Sequence, residues 1–225
     1  MSWPWIAWAL LGYGCGSVPF AWLLAKSRGI DIRRQGSGNV GATNVARTLG
    51  RKWGVLCFTL DLLKGFGPVL GAGLAMGVVA STRLDSSDSW WWLLVATGTV
   101  LGHVFPCWLG FRGGKGVATG LGALLGFWPF MTLTTLAAAL TWLIVAAVSR
   151  YVSLASIIAV GTIPFYIWLV SRLPAVEHVD IAPFMIASGL MALLVLIRHR
   201  SNLARIIAGA EHRIGTPKAA DHPDS

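Results

Sequence analysis

The chain has 225 residues, of which 55% are hydrophobic and 12% are charged. Soluble domains carry about twice that charged fraction, so the composition excludes an ordinary soluble enzyme and predicts a membrane protein. The 18 Lys+Arg residues outnumber the 9 Asp+Glu residues, but they lie in short clusters between apolar runs. This distribution favours contact with anionic lipid headgroups, and no nucleic-acid partner is expected.

Apolar runs divide the chain into predicted transmembrane helices, each of which needs roughly 20 residues to cross a bilayer. Clear candidates cover about residues 3–25, 53–79, 90–109, 154–172 and 182–198. The run 117–148 is too long for one span and too short for two full ones. We predict a short helix to about Phe127, a turn at Trp128-Pro129 and a return helix over 130–149. The predicted fold is therefore an all-α polytopic membrane protein with seven transmembrane helices.

The charges of the loops set the predicted orientation. Of the 18 basic residues, 15 lie in 26–52, in 110–116, at Arg150 and from Arg198 onward. Positively charged loops stay on the cytoplasmic side, so we expect the N-terminus outside and the C-terminus in the cytoplasm. No basic segment precedes the first apolar run, which is expected to remain as a span. Residues 1–213 should form one integral membrane domain, and 214–225 a short, polar, disordered tail.

The first polar segment of chemical interest reads GSGNVGATN over residues 36–44 and is followed by Arg47. Glycines let backbone N–H groups face a ligand, Ser, Thr and Asn add neutral donors, and an arginine suits phosphate oxygens. Dinucleotide binding is improbable because no βαβ unit surrounds the literal GxGxxG match. A flexible connection is the alternative, although the loop is long for one. The candidate phosphate ligands are Gly36, Ser37, Gly38, Asn39, Gly41, Thr43, Asn44 and Arg47.

The second segment covers residues 102–119 and leads directly into the next apolar helix. It is not a Walker A loop, because Gly116 follows Lys115 where Ser or Thr is required. A helix N-terminus offers free N–H groups and the positive end of the helix dipole, which suit a phosphate. We therefore expect Gly113, Gly114, Lys115 and Gly116 to bind one. A purely topogenic role for the basic residues is the alternative, and it leaves the glycines unexplained.

Three further places carry polar side chains next to apolar runs. Ser153 lies where a helix cap is expected, and capping competes there with ligand binding. His199 and Asn202 share one helix face if the last helix continues through them, although the arginines around them also fit a stop-transfer signal. Asp61 and Lys64 lie within an apolar run, where an ion pair and a substrate contact are both open.

The usual machinery of several enzyme classes is missing from the sequence. The acidic residues are too few and scattered to predict a metal site, and no cofactor is expected. The cysteines form no CxxC pair and predict neither a disulfide nor a metal site. There is no GxSxG nucleophile motif. The His-x4-Asp motif of acyl-CoA acyltransferases is also absent, because Trp108 and Ala204 stand where His103 and His199 would require Asp. These absences favour a donor that arrives already activated.

The chain resembles the bacterial acyl-phosphate-dependent glycerol-3-phosphate acyltransferase family in five motifs: GSGNVGATN with Arg47, DLLKG, GHVFPCWLGFRGGKGVAT, SRYVSLAS, and RHRSNLAR followed by Glu211. The resemblance implies seven transmembrane helices in the bacterial cytoplasmic membrane and a site facing the cytoplasm. It also implies transfer of a fatty acyl group from acyl phosphate, not acyl-CoA, to glycerol 3-phosphate. The product would be 1-acyl-sn-glycerol 3-phosphate (lysophosphatidic acid), an intermediate of phospholipid biosynthesis.

Carried onto this chain, the family pattern implies an active site of Ser37, Asn39, Arg47, Lys115, Ser153, His199 and Asn202. The last five of these resemble the glycerol 3-phosphate contacts, and the glycines of the two loops resemble the acyl-phosphate site. Ser37, Lys115 and His199 are the catalytic candidates. Lys115 would offset charge on the departing phosphate, and His199 would be the general base unless the donor phosphate accepts the proton.

Two other classes of protein compete with an enzyme. A small transporter of an organic anion or phosphate ester would place polar residues near the middle of the membrane. In this sequence the donors cluster at one face. A structural membrane protein would leave the glycine-rich loops without a purpose.

Overall fold

The computed structural model describes residues 2–81, 83–176 and 178–215. Within these residues the chain forms the α-helices α1 Trp3–Ser17, α2 Phe20–Lys26, α3 Ala42–Leu49, α4 Arg51–Ala75, α5 Ser86–Val104, α6 Val117–Gly126, α7 Thr132–Ser149, α8 Val152–Gly161, α9 Ile163–Val170, α10 Ala182–Arg198 and α11 Arg200–Ile207. The strands β1 Arg83–Leu84 and β2 His178–Val179 form one short parallel pair, which the sequence did not predict. The all-α class is confirmed.

Five helical segments are long and apolar enough to cross a membrane: Trp3–Lys26, Arg51–Ala75, Ser86–Leu109, Thr132–Ser149 and Val152–Val170. They correspond to predicted spans, with boundaries shifted by a few residues. A sixth candidate is α10 together with α11, which are bent by 56° relative to each other. Helix α6, with 10 residues, is apolar but short.

The division of the 117–148 run is confirmed. Helix α6 ends at Gly126, the Trp128-Pro129 peptide bond is cis, and α7 begins at Thr132. The turn between α6 and α7 contacts the loop after α4, because the Ala80 amide donates to the Trp128 carbonyl at 3.2 Å. Helix α6 therefore runs between the two ends of the bundle despite its length.

Glycines fix α6 closely against α4. A Cβ at Gly65 of α4 would overlap the backbone carbonyl of Thr119, and a Cβ at Gly122 of α6 would overlap the carbonyl of Leu62. Small residues allow such close backbone contact between membrane helices, where apolar side chains gain nothing by leaving lipid. The contact fixes the N-terminus of α6, and with it the loop that carries Lys115.

The connecting segments gather at two opposite ends of the bundle. At one end β1 pairs with β2, and the Asp180 amide donates to the Leu84 carbonyl at 3.2 Å. At the other end lie the basic loops. There the Arg150 guanidinium donates to the Ile214 carbonyl, so the first residue of the expected disordered tail is held in place. The rest of that predicted tail, from residue 216, lies outside the described residues.

Candidate active site

Asn44 holds the first glycine-rich loop in shape. It is 1% exposed, and its Oδ1 accepts from the Ser37 amide at 3.0 Å. Its Nδ2 lies 3.2, 3.0 and 3.1 Å from the carbonyl oxygens of Ile32, Gln35 and Asn39. Its oxygen and both of its N–H groups are thus engaged within the loop. The structure therefore favours a supporting role for Asn44 over the substrate contact expected from the sequence.

The glycines of this loop shape the backbone rather than offer free amides. Gly36 and Gly38 have φ of +56° and +69°, the left-handed region that glycine adopts without strain. The Gly38 amide donates to the Gln35 carbonyl at 2.9 Å, and the Gly41 amide to the Asn39 carbonyl at 3.1 Å. The loop then enters α3, where the Asn44 and Val45 amides donate to the Gly41 carbonyl and the Ala42 and Thr43 amides have no partner within the helix. The expected anion site is thus the N-terminus of α3, beside the exposed Thr43.

The second loop departs from expectation in the same way. The amides of Gly113 and Gly114 donate to the carbonyls of Val104 and His103 at 3.1 Å each. A Cβ at Gly114 would overlap the His103 ring and lie 2.8 Å from the Val40 carbonyl oxygen. These glycines permit close packing, and their N–H groups are already used within the loop. Gly116, at φ +84°, turns the chain into α6, where free first-turn amides follow.

Arg198 joins the second loop to the end of α10. Its guanidinium donates to the carbonyls of Gly113 and Gly114 at 3.0 and 3.1 Å, and it lies 5.9 Å from the ring centre of Phe105. The N–H and carbonyl groups of Gly113 and Gly114 are therefore all hydrogen-bonded. These bonds fix the backbone next to Lys115.

Lys115 joins a polar network that crosses three parts of the chain. Its Nζ donates to Oδ1 of Asn202, whose Nδ2 donates to Oε1 of Glu211 at 2.5 Å. The Ser153 hydroxyl donates to the same carboxylate oxygen at 2.8 Å. Ser153 lies in the first turn of α8, so its side chain is used for this network and not as the cap of that helix. The three predicted residues Lys115, Ser153 and Asn202 are thereby brought together.

Glu211 is the centre of this network, and it was not among the residues selected from the sequence. Its Oε2 accepts from Arg205 Nε at 2.7 Å. Burial opposes its charge, but the hydrogen bonds from Asn202, Ser153 and Arg205 outweigh that effect and lower the pKa of Glu211. The signal available in the sequence was its place after the RHRSNLAR motif, where it is the acidic residue next to the last basic cluster.

Arg47 faces this network from α3. It is partly buried, and its charge interacts with those of Glu211 and Arg205. Burial lowers the pKa of Lys115 to about 8; Glu211 opposes this shift, while Arg205, Arg198 and Arg47 lower the pKa further. One carboxylate thus faces several cations, and the surplus of positive charge suits a polyanion.

His199 lies at the break between α10 and α11, and it is 3% exposed. The helix does not continue through the motif as assumed: it bends by 56° there, although Asn202 still turns inward and is 6% exposed. His199 Nδ1 lies 2.8 Å from the Val195 carbonyl oxygen, which can only accept. Nδ1 therefore carries the hydrogen of this contact, and in the neutral ring Nε2 is free to accept a proton.

Asp61 and Lys64 form the ion pair that the sequence left open. Lys64 Nζ lies 2.7 Å from Asp61 Oδ1 and donates to the Val18 carbonyl at 2.7 Å, and both side chains are buried. His103 Nδ1 lies 3.6 Å from the same carboxylate oxygen. Because the His103 ring packs against Gly114, the group of Asp61, Lys64 and His103 supports the second loop.

An apolar cavity of about 350 Å³ begins beside Lys115. Gly116 and Val117 line one side, and Val195, whose carbonyl contacts His199, lines another. Its walls come from the helices α4 to α10. A positively charged polar network and an apolar cavity therefore adjoin at the end of the bundle that carries the basic loops.

Of the other predicted ligands, Ser37 is exposed and Asn39 is partly buried at the first loop. No group of three or more His, Cys, Asp or Glu residues suited to a metal occurs among residues 2–81, 83–176 and 178–215. The fold and site define a helical membrane protein with a positively charged polar face next to an apolar cavity.

Comparisons with known proteins agree with this description. Residues 6–209 match the family described as glycerol-3-phosphate acyltransferase. The relatives of that name from Aquifex aeolicus and Rhodospirillum rubrum are 43% and 47% identical, over 91% and 94% of this chain and 96% and 92% of their own. A crystal structure of PlsY, an integral membrane glycerol 3-phosphate acyltransferase, in its glycerol 3-phosphate form matches with a TM-score of 0.80 and 39% identity, over 94% of this chain and 96% of that one. The chain belongs to the glycerol-3-phosphate acyltransferase family.

Proposed function

We propose that this protein transfers a fatty acyl group from acyl phosphate to glycerol 3-phosphate, giving lysophosphatidic acid and phosphate. The observation that carries the proposal is the position of the Lys115–Asn202–Glu211–Ser153 network at one end of an apolar cavity. Both substrates join a phosphate group to an organic part, and the donor also carries a long apolar chain. The names of the relatives support the acceptor, and a second similar structure, the lysophosphatidic acid form of PlsY, supports the product.

The glycerol 3-phosphate would bind through Arg47, Lys115, Ser153, His199 and Asn202. Arg47 and Lys115 supply positive charge. Ser153 and Asn202 supply neutral donors to the substrate when their hydrogen bonds to Glu211 break. The acyl phosphate would lie at the helix N-termini after Gly41 and Gly116, with its chain in the cavity. These N-termini provide free amides and favourable dipoles for a phosphate group.

The reaction needs no covalent acyl-enzyme, because acyl phosphate already carries a good leaving group. The glycerol 3-phosphate hydroxyl attacks the acyl carbonyl carbon, the bond from that carbon to the phosphate oxygen breaks, and inorganic phosphate leaves. Lys115 and the first-turn amides of α6 offset the negative charge that develops on the carbonyl oxygen and the leaving group. Holding two reactants in contact accounts for much of such a rate enhancement.

The hydroxyl proton has two candidate acceptors. His199 Nε2 is unprotonated in the tautomer that the Val195 contact selects, which supports His199 as the general base. The donor phosphate is the other acceptor, since phosphate leaves with capacity for a proton. The exposed Ser37 hydroxyl would then orient the donor rather than form a covalent intermediate.

We place this site at the cytoplasmic face of the bacterial inner membrane, in a seven-helix topology with the N-terminus outside. The grouping of loops supports this topology: the basic segments meet at one end, and the loops joined by β1 and β2 meet at the other. Counted with the five long apolar segments and the α10–α11 pair, the short α6 brings the number of crossings to seven, which is odd. Basic loops on the cytoplasmic side satisfy the positive-inside rule.

The test is an assay of the purified protein in detergent with glycerol 3-phosphate and either palmitoyl phosphate or palmitoyl-CoA. We expect lysophosphatidic acid from the phosphate donor only. No product from palmitoyl phosphate would refute the proposal, and equal use of palmitoyl-CoA would refute the donor assignment. Lys115→Ala should lower kcat/KM by about a hundredfold or more, as loss of a transition-state donor does, while the exposed Lys52→Ala serves as the matched control.

A further inference from the structure

We propose that the end of the apolar cavity at Phe127 and Phe184 sets the upper limit on the length of acyl chain that the enzyme transfers. This inference rests on the proposed function, because it takes the acyl chain as the occupant of the cavity. It adds a specificity determinant that lies far from the reacting groups.

The direction of the cavity follows from two of its walls. On α6 the lining residues run from Gly116, next to Lys115, to Phe127 at the other end of that helix. On α10 they run from Val195, next to His199, to Phe184. Each wall covers 11 residue steps, or about 16 Å at the helical rise. Both walls therefore start at the polar network and end at a phenylalanine.

At this end of the cavity Phe127 and Phe184 form a packed aromatic floor. Phe127 is 1% and Phe184 is 2% exposed, and their ring centroids are 5.4 Å apart in an edge-on arrangement. Trp92 supports Phe127 at 4.7 Å, and Phe130 supports Phe184 at 4.8 Å. The Trp92 indole is itself fixed by a 2.7 Å hydrogen bond to the Val69 carbonyl. Interlocked rings of this kind cannot yield to a longer chain without repacking several side chains.

The space between the two ends exists because small residues line it, among them Gly120 and Ala123 of α6, Ala138 of α7 and Ala159 of α8. Gly120 lies one helical turn from Gly116, about 6 Å along the axis. A Cβ at Gly120 would meet no atom within 4 Å, so this position of the cavity wall has open space for the start of a larger side chain. The polar atoms of Trp142 and Ser156 in the wall bond to each other at 3.1 Å, which leaves an apolar lining.

The experiment measures kcat/KM for saturated acyl phosphates from octanoyl to stearoyl phosphate. Gly120→Leu fills the cavity one turn from its start, and we expect the palmitoyl to octanoyl ratio of kcat/KM to fall by about tenfold or more, a scale set by single methylenes in apolar pockets. Phe127→Ala removes one ring of the floor and so lengthens the cavity. We therefore expect the stearoyl to palmitoyl ratio of kcat/KM to rise. Gly189→Leu is the control, because Gly189 is exposed on α10, lies outside the cavity and has open space around it.

The outcomes separate this inference from the proposed function. A wild-type enzyme that uses acyl phosphates, with the same chain-length profile in Gly120→Leu and Phe127→Ala, would overturn the floor assignment alone. A wild-type protein that uses no acyl phosphate would refute the proposed function. If Phe127→Ala fails to fold, Gly120→Leu decides the question, since replacing glycine in a helix removes about 1 kcal/mol of helix penalty. A shift in the Gly189→Leu control equal to that in Gly120→Leu would also overturn the inference.

Discussion

Lys115 and Asn202 are joined by a hydrogen bond from Nζ to Oδ1, although 87 positions separate them in the chain. The contact connects the loop before α6 with α11. Asn202 passes the connection to Glu211, which accepts from Ser153 and Arg205 as well. The charge of Lys115 therefore depends on the state of a network built from three distant segments.

The first prediction concerns pH. Burial holds the pKa of Lys115 at about 8, so its ammonium is charged below that pH and neutral above it. We expect kcat/KM for glycerol 3-phosphate to fall as the pH rises through about 8. A bound phosphate stabilises the charged form, so the corresponding fall in kcat should occur at higher pH. In Lys115→Arg, which stays charged, the fall near 8 should disappear from the residual activity. A wild-type profile that keeps this limb in Lys115→Arg would contradict the assignment.

A second prediction tests Glu211 as the residue that orients Ser153 and Asn202. Glu211→Gln keeps the shape but loses the charge and offers an N–H group to hydrogen-bond donors. We expect the KM for glycerol 3-phosphate to rise about tenfold, with a smaller change in the KM for acyl phosphate. The effects of Glu211→Gln and Ser153→Ala should be less than additive in the double variant, because the two side chains share one hydrogen bond. Additive effects would show that they act independently. His212→Ala, an exposed neighbour, is the control.

A third prediction tests Gly114 as a close-packing position. A Cβ there would overlap the His103 ring and press on the Val40 carbonyl, so Gly114→Ala must displace both glycine-rich loops. We expect kcat/KM to fall by about a hundredfold, the cost of misplacing reacting groups by about 1 Å. Gly67→Ala, at an exposed site in α4 where a Cβ meets no atom within 4 Å, should keep near-normal turnover. Equal activity of the two variants would contradict the packing role.

The helices and the location of the site could be predicted from the sequence because both depend on local features. The split at Trp128-Pro129 follows from the length of an apolar run, and Lys115 is recognisable as a cation beside a helix start. The function of Gly113 and Gly114 could not be predicted in the same way. Glycine serves either to free an N–H group or to omit a Cβ, and only the contact with His103 distinguishes the two uses.

The hydrogen bonds around Glu211 could not be predicted from the sequence either. Its partners Ser153 and Asn202 lie 58 and 9 positions away, and no periodicity links a carboxylate in a loop to residues on two helices. The bend at His199 was missed because neither proline nor glycine marks it. The position of this bend instead depends on the tertiary contacts of Asn202 with Lys115 and Glu211.

The last prediction decides between a structural and a substrate role for Asp61 and Lys64. Lys64 Nζ is occupied by Asp61 Oδ1 and the Val18 carbonyl, and both charges are buried, so the structure favours a structural pair. Asp61→Asn or Lys64→Met alone leaves one buried charge without its partner, which typically costs about 3–5 kcal/mol. We expect each single variant to unfold at a markedly lower temperature in detergent. The double variant should recover most of the thermal stability, and part of the activity with a KM for glycerol 3-phosphate near that of the wild type. A double variant that is stable but has a strongly raised KM would mean that one of the two charges contacts the substrate.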